Sequence, residues 1–194
     1  MHVFMDRLAR IFALLGGIVL SVLIIQTVLS IAGRSINSIL HSDILQTMVP
    51  GLTSALLATG VGPINGDFEL VEAGMAFVIF AFLPLCQLHG AHASVDIFTA
   101  KLPPRANRFL RMIIEIVFAA IIVLIAVQLY SGMLSKLNSG QTTLLLQFPL
   151  WWAYALSLTG AFAGAIVAVY VAVMRLMEFA TGTVFLPDDV GADH

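Results

Sequence analysis

Charge is what this chain has least of. Asp, Glu, Lys and Arg together make up only 10% of its 194 residues, where a soluble domain carries roughly a quarter. That shortage, beside 60% hydrophobic residues and a mean hydropathy of +1.01, excludes an ordinary water-soluble domain and leaves an integral membrane protein. The net charge of −2 removes any case for nucleic-acid binding. Cysteine is nearly absent as well. Cys86 stands alone within an apolar run, so disulfides, zinc clusters and CxxCH haem attachment are excluded, and the thiol reads as a small apolar filler. Catalytic signatures are missing too: there is no HExxH, no GxSxG and no Asp-containing motif deep in an apolar run, so the sequence does not read as an enzyme.

What the chain has in quantity is long apolar runs. Four reach the roughly 20 residues needed to cross a bilayer: about 8–33, 69–88, 109–134 and 150–177. The first resembles a secretory signal, but its apolar stretch is longer than the roughly 7–15 residues of such a segment, so it reads as a retained span. Pro84 removes one backbone donor near the end of the second run and predicts a kink. The fourth opens with "FPLWWAY", where Pro149 suits a helix start and Trp151, Trp152 and Tyr154 suit an interfacial aromatic belt.

A fifth run, 43–63, is apolar but carries Pro50, Gly51, Gln46 and several hydroxyl residues. Cation placement decides against it as a span. With four spans, Arg7, Arg10, Lys101, Arg105, Arg108, Arg111 and Arg175 share one side, opposite Arg34 and Lys136. A fifth span reverses that bias. The expected fold is therefore all-α and integral to the membrane, with four spans and both termini in the cytoplasm. Residues 1–182 form one membrane domain and 183–194 a short acidic cytoplasmic tail. Segment 36–66 falls on the outer, periplasmic side as a short extra element at the membrane surface.

Between spans two and three lies "LCQLHGAHASVDIFTAKLPPRANRFLRM". Its middle reads as an interfacial amphipathic helix over about 94–102. Ser94 caps it, Asp96 suits the positive end of its dipole, and Val95, Phe98 and Leu102 recur at helical spacing. Pro103-Pro104 stops it. Lys101, Arg105, Arg108 and Arg111 then meet the lipid headgroups. His89 and His92 are three apart, but no further His or Cys lies near enough in sequence to complete a metal site. They read as polar residues at a membrane boundary.

Polar groups inside the runs are few: Gln26, Thr27, Gln128 and scattered serines. Glu115 is the deepest acid and follows Arg111 by four residues, which reads as a boundary ion pair; a proton- or sodium-coupling role is the alternative. Glu69 and Glu72 open span two, where a salt bridge to Arg34 at the same depth is expected; a coupling site is the alternative. Small residues make two packing stripes, Gly160-xxx-Gly164 continuing to Ala168 and Ala172, and Gly17-xxx-Ser21.

Arg34 closes span one, Glu69 opens span two, and "GAHASVDIF", "KLPPR" and "QTTLLLQFPLWWAYALSLTG" follow in order. This order resembles the small, Q-type (DctQ-like) membrane subunit of tripartite ATP-independent periplasmic (TRAP) transporters. That family shows an Arg closing span one, a Glu opening span two, a G-H-x-x-V-D motif, an L-P-x-x stop, and a Thr before an I-P-x-W-x-x-Y start to span four. The matching positions are Arg34, Glu69, His92, Val95, Asp96, Leu102, Pro103, Thr142 or Thr143, Pro149, Trp151 and Tyr154. Ala91 departs from the usual Gly, His89 stands where a cation is common, and 36–66 reads as an insertion.

The resemblance implies a scaffold subunit in the bacterial inner membrane. Its partners would be a large elevator-type membrane subunit that carries the substrate and sodium sites, and a periplasmic solute-binding protein. It implies no catalytic, substrate, metal or cofactor site in this chain, and it leaves the solute open. The alternative from another class is a four-helix membrane anchor or haem b subunit of a redox complex. That reading calls for axial histidines inside spans, and the chain has none there.

Overall fold

The computed structural model describes residues 2–92 and 103–183. Six helices run in order: α1 His2–Leu40, α2 Asp43–Met48, α3 Pro50–Ala58, α4 Asp67–Leu88, α5 Pro104–Ser139 and α6 Leu150–Thr181. Four of them, α1, α4, α5 and α6, are long and apolar enough to cross a membrane. The interfacial helix expected over 94–102, with Asp96, lies outside the described residues, as does the acidic tail from 184 onward.

The helix ends follow local chemistry. Pro103 and Pro149 are the N-caps of α5 and α6, with extended backbones that the pyrrolidine ring favours. Gly140 and Gly182 close the same two helices at φ 61° and 75°, a left-handed turn that frees the last carbonyls for capping and that a Cβ would strain. α4 continues through Pro84, whose side chain is fully buried. α1 runs past the expected span limit at 33 to Leu40, because "SINSIL" contains no breaker. The short outer element is therefore α2 and α3 alone, with Pro50 opening α3.

α6 is the central helix. Half of its most apolar stretch is buried, against 17% for α1 and for α5. α4 packs on one flank of α6 and α5 on the other, while α1 lies against α4 and touches α6. Composition explains this order. Ala161, Ala163, Gly164, Ala165, Ala168 and Ala172 are all buried on α6, and small side chains let two neighbours approach one backbone where lipid offers no hydrophobic drive. Met5, Ala9, Leu88, Val167 and Val171 form one core cluster, joining α1, α4 and α6. Ala119, Ala168 and Ala172 form a second between α5 and α6.

α1 is antiparallel to α4, because Ser30 meets Asp67 at one end and Asp6 meets His89 at the other. α5 is antiparallel to α6, because Gly132 lies under Tyr154 and Phe109 meets Phe179. Both ends of the described chain thus emerge at one end of the bundle, here the terminal end. The opposite, loop end carries α2, α3 and the α5–α6 connection. On α5 the stretch 116–135 carries no charge between Glu115 and Lys136; at 1.5 Å per residue it spans roughly 30 Å, the thickness of a bilayer's hydrocarbon core.

Candidate functional site

Polar side chains gather at the two ends of the bundle. At the loop end, Asp67 in the first turn of α4 ties α1 to α4. One of its carboxylate oxygens accepts from the Ser30 hydroxyl and, at 3.5 Å, from the Arg34 guanidinium; the other accepts from the Phe68 N–H at 2.7 Å. Ser30 is fully buried, and its oxygen also accepts from the Ile64 N–H, which holds the end of the outer segment against α1. Arg34 therefore pairs with Asp67 rather than with Glu69 or Glu72. The salt bridge expected from equal depth is corrected, because Glu69 is already engaged elsewhere.

Glu69 holds the α5–α6 connection. Its two carboxylate oxygens accept from the N–H groups of Leu145 (2.7 Å) and Leu146 (2.9 Å). This connection is a tight hairpin in which Thr142 bridges Pro149, the Thr143 N–H bonds to the Phe148 carbonyl and the Leu150 N–H to the Gln141 carbonyl. Gln147 sits at φ 55° within it, a left-handed conformation that costs a non-glycine residue about 1 kcal/mol or more. The carboxylate supplies a charge-assisted anchor that offsets this strain. Glu69→Gln is expected to leave the helices intact while the Leu145 and Leu146 amides exchange with solvent about tenfold faster. Hydrogen exchange read by mass spectrometry checks this, and unchanged protection there would remove the anchor role.

Trp151 and Trp152 form an edge-on pair with ring centroids 6.1 Å apart at the start of α6. Tyr154 fills the notch that Gly132 leaves on α5, where an added Cβ would come within 2.7 Å of the ring. Pro149, Trp151 and Tyr154 are thus gathered where α6 meets the hairpin and α5.

At the terminal end, Asp6 on α1 accepts from Arg10 at 2.7 Å and from His89 Nε2 at 3.2 Å, linking α1 to the end of α4. His92 Nε2 donates to the Gln87 side-chain oxygen Oε1 at 2.8 Å, and its ring leans on Phe118 of α5 at 5.1 Å. The buried Gln87 amide donates in turn to the Glu115 carboxylate. Among the described residues, α4 and α5 approach each other only through such side chains, since α6 separates their backbones. Arg175 and Glu178 on α6 form a buried ion pair at 2.8 Å. Arg111, Glu115, Arg175 and Glu178 each make additional polar contacts, so none of the four is free.

The small-residue positions differ in what surrounds them. A Cβ at Gly160 would lie 3.0 Å from the Phe80 Cβ and 3.1 Å from the Phe80 carbonyl carbon. At Gly164 the nearest atoms are at 3.8 and 3.9 Å, an ordinary contact distance. Gly17 has nothing within 4 Å, and the Ser21 hydroxyl folds back onto the Gly17 carbonyl. The neighbouring Gly16 makes the α1–α4 contact instead, where a Cβ would meet the Ala81 Cβ at 3.0 Å.

Between the ends, hydroxyl groups bond within their own helices. The Thr27 and Ser157 hydroxyls bond to the carbonyls one turn earlier, and Gln128 faces outward. Among the described residues no group of three His, Cys, Asp or Glu side chains is placed to hold a metal ion. A cavity of about 890 Å³ forms a lateral groove between α5 and α6, with walls that are apolar apart from Tyr130 and Thr159. Such a wall suits hydrocarbon or another helix, not a polar solute.

An all-α bundle with four bilayer-length apolar helices, and with its polar side chains drawn to the two ends, defines a multi-pass membrane protein. The family model described as "Tripartite ATP-independent periplasmic transporters, DctQ component" matches residues 48–179. That is well over half of the chain, and the chain belongs to this family of non-catalytic TRAP transport subunits. The matched span takes in α3 to α6 and leaves α1, with Arg34, outside it. Neither a search of curated proteins nor one of solved structures returned a match.

Proposed function

We propose that this chain is the stationary scaffold of a three-component importer in the bacterial inner membrane. It pairs with a large elevator-type membrane subunit that carries the substrate and the coupling sodium ions. A periplasmic binding protein delivers an organic, anionic solute to that pair. The terminal end faces the cytoplasm, in keeping with seven of the nine cations falling on that side by count along the sequence.

The observation that carries the reading is the family match over α3 to α6, joined to a bundle whose mid-depth Thr27 and Ser157 hydroxyls are satisfied within their own helices. A subunit that bound solute itself would need convergent polar groups or broken helices near the midplane. A scaffold instead needs stiff helices clasped at both ends and broad apolar flanks, and the outward side chains of α1 and α5 are Ile, Leu and Val over most of their length.

α2, α3 and the Leu144–Leu145 tip of the hairpin gather exposed apolar side chains at the loop end: Met48, Leu52 and Leu56 on one part, Leu144 and Leu145 on the other. They rest against the large subunit or the docked binding protein. The test is co-expression with the adjacent large membrane protein. The two are expected to co-purify, and replacing residues 43–63 by a short linker is expected to lower reconstituted uptake several-fold while membrane insertion persists. Failure of the two to associate when co-expressed, with both inserted in the membrane, would overturn the scaffold reading.

A further inference from the structure

We propose that the cleft between the first turn of α5 and the last turn of α6 is a binding site for the phosphate headgroup of an anionic phospholipid. The cleft, about 670 Å³ in volume, is lined by Arg105, Arg108, Phe109 and Phe179 together with small residues and the end of α6 at Gly182. That volume lies within the range of small-molecule sites. Among the described residues its charged lining side chains are Arg105 and Arg108, both cationic.

Its donors are unspent. Arg105 makes no hydrogen bond or ion pair among the described residues and is exposed. Arg108 uses Nη1 to cap the α6 terminus through the Gly182 carbonyl at 3.2 Å, and a guanidinium carries five N–H donors in all. The start of α5 adds to these. Pro103 and Pro104 contribute no N–H, and the Asn107 N–H bonds to the Pro103 carbonyl. The Arg105 and Ala106 amides are thus the first-turn donors left over, and no side chain caps them. Two guanidinium groups and a helix's positive end converge on one cleft, an arrangement suited to phosphate.

The depth and the walls point to a lipid as the source of that phosphate. Arg105 and Lys136 bracket α5, and their separation in sequence corresponds to about 46 Å. That matches the roughly 40–45 Å of a bilayer including its headgroups, so Arg105 stands at headgroup level. Phe109 and Phe179 form the floor as a tilted pair with centroids 5.6 Å apart. One turn deeper, Ile113 and Leu176 are also exposed, continuing an apolar track along which acyl chains can lie. A free anion needs only the rim; a phospholipid uses both rim and track. The inference rests on the bundle crossing a bilayer and not on its transport role.

The experiment is native mass spectrometry of the full chain in mild detergent, titrated with dioleoyl phosphatidylglycerol or dioleoyl phosphatidylcholine. The wild type is expected to retain phosphatidylglycerol about tenfold better, R105Q to keep about a third of that preference, and R105Q/R108Q to lose it. Because Arg105 touches no partner among the described residues, R105Q should melt with the wild type, which keeps the test valid if the double variant unfolds through loss of the Gly182 cap. An unchanged preference in folded R105Q and R105Q/R108Q would overturn the site. Displacement of bound phosphatidylglycerol by millimolar inorganic phosphate would also overturn it, by assigning the cleft to free anions.

Discussion

Gly160→Leu is expected to abolish the folded bundle, and Gly160→Ala to destabilise it by about 1–3 kcal/mol, the usual range for overpacking. Gly164→Ala, one turn along the same stripe, is expected to be neutral or slightly stabilising. The contrast follows from distance. At Gly160 an added Cβ meets the Phe80 carbonyl carbon at 3.1 Å and the Ala81 nitrogen at 3.2 Å, and backbone cannot swing aside as a side chain can. Relief requires α4 and α6 to separate, which opens the contact on which α1 also depends. At Gly164 the nearest atoms are side-chain carbons at 3.8 and 3.9 Å, so a methyl fits and the helix gains up to about 1 kcal/mol in propensity. Thermal melting of the purified variants in detergent, with size-exclusion profiles, checks both. Equal melting temperatures for Gly160→Ala and Gly164→Ala would show that α4 and α6 do not approach this closely.

The two small-residue stripes also show how far sequence reaches into this fold. Spacing alone marks Gly160-xxx-Gly164 and Gly17-xxx-Ser21 as equivalent, because both are small residues one helical turn apart. Only rotation about the helix axis separates them. Gly16, not Gly17, points at Ala81, and a one-residue step turns a position by about 100°. The composition of α6 is a stronger signal. Its density of buried Ala and Gly exceeds that of any other span, and it marks the one long helix that touches the other three. Span number was legible from run length together with cation placement, whereas helix ends were not, since hydropathy reports where lipid stops rather than where hydrogen bonding stops. α1 passes its apolar limit for this reason and ends at Leu40.

The polar clasps were legible as residues but not as partners. Depth suggested Arg34 for Glu69, yet the carboxylate is satisfied by two backbone N–H groups of the hairpin. Backbone donors are the same at every position, so no residue pattern announces them. Asp67, two residues earlier, was left for Arg34 and Ser30. Likewise Gln87 carries no distinguishing signature in the sequence, and its role as the bridge between His92 and Glu115 follows from α6 holding α4 and α5 apart. Arg175 read as one more cation on the positive side; the central place of α6 is what buries it.

That burial makes Arg175→Met the second substitution with a large expected effect. The guanidinium and the Glu178 carboxylate are both less than a tenth exposed and lie 2.8 Å apart, one turn along α6. Removing one partner of a buried pair strands the other, which costs about 3–5 kcal/mol. Replacing both by apolar residues of similar size removes the stranded charge as well, so Arg175→Met/Glu178→Leu is expected to be more stable than Arg175→Met. The recovery will be incomplete, because each residue makes further polar contacts and those groups lose a partner in the double variant. A double-mutant cycle on melting in detergent reads the difference, with a coupling of about 1–3 kcal/mol expected for groups in one network. Additive single effects would mean that water reaches this pair and that the terminal end of α6 is open to solvent, which would also loosen the joint between α4, α5 and α6 on which a rigid scaffold depends.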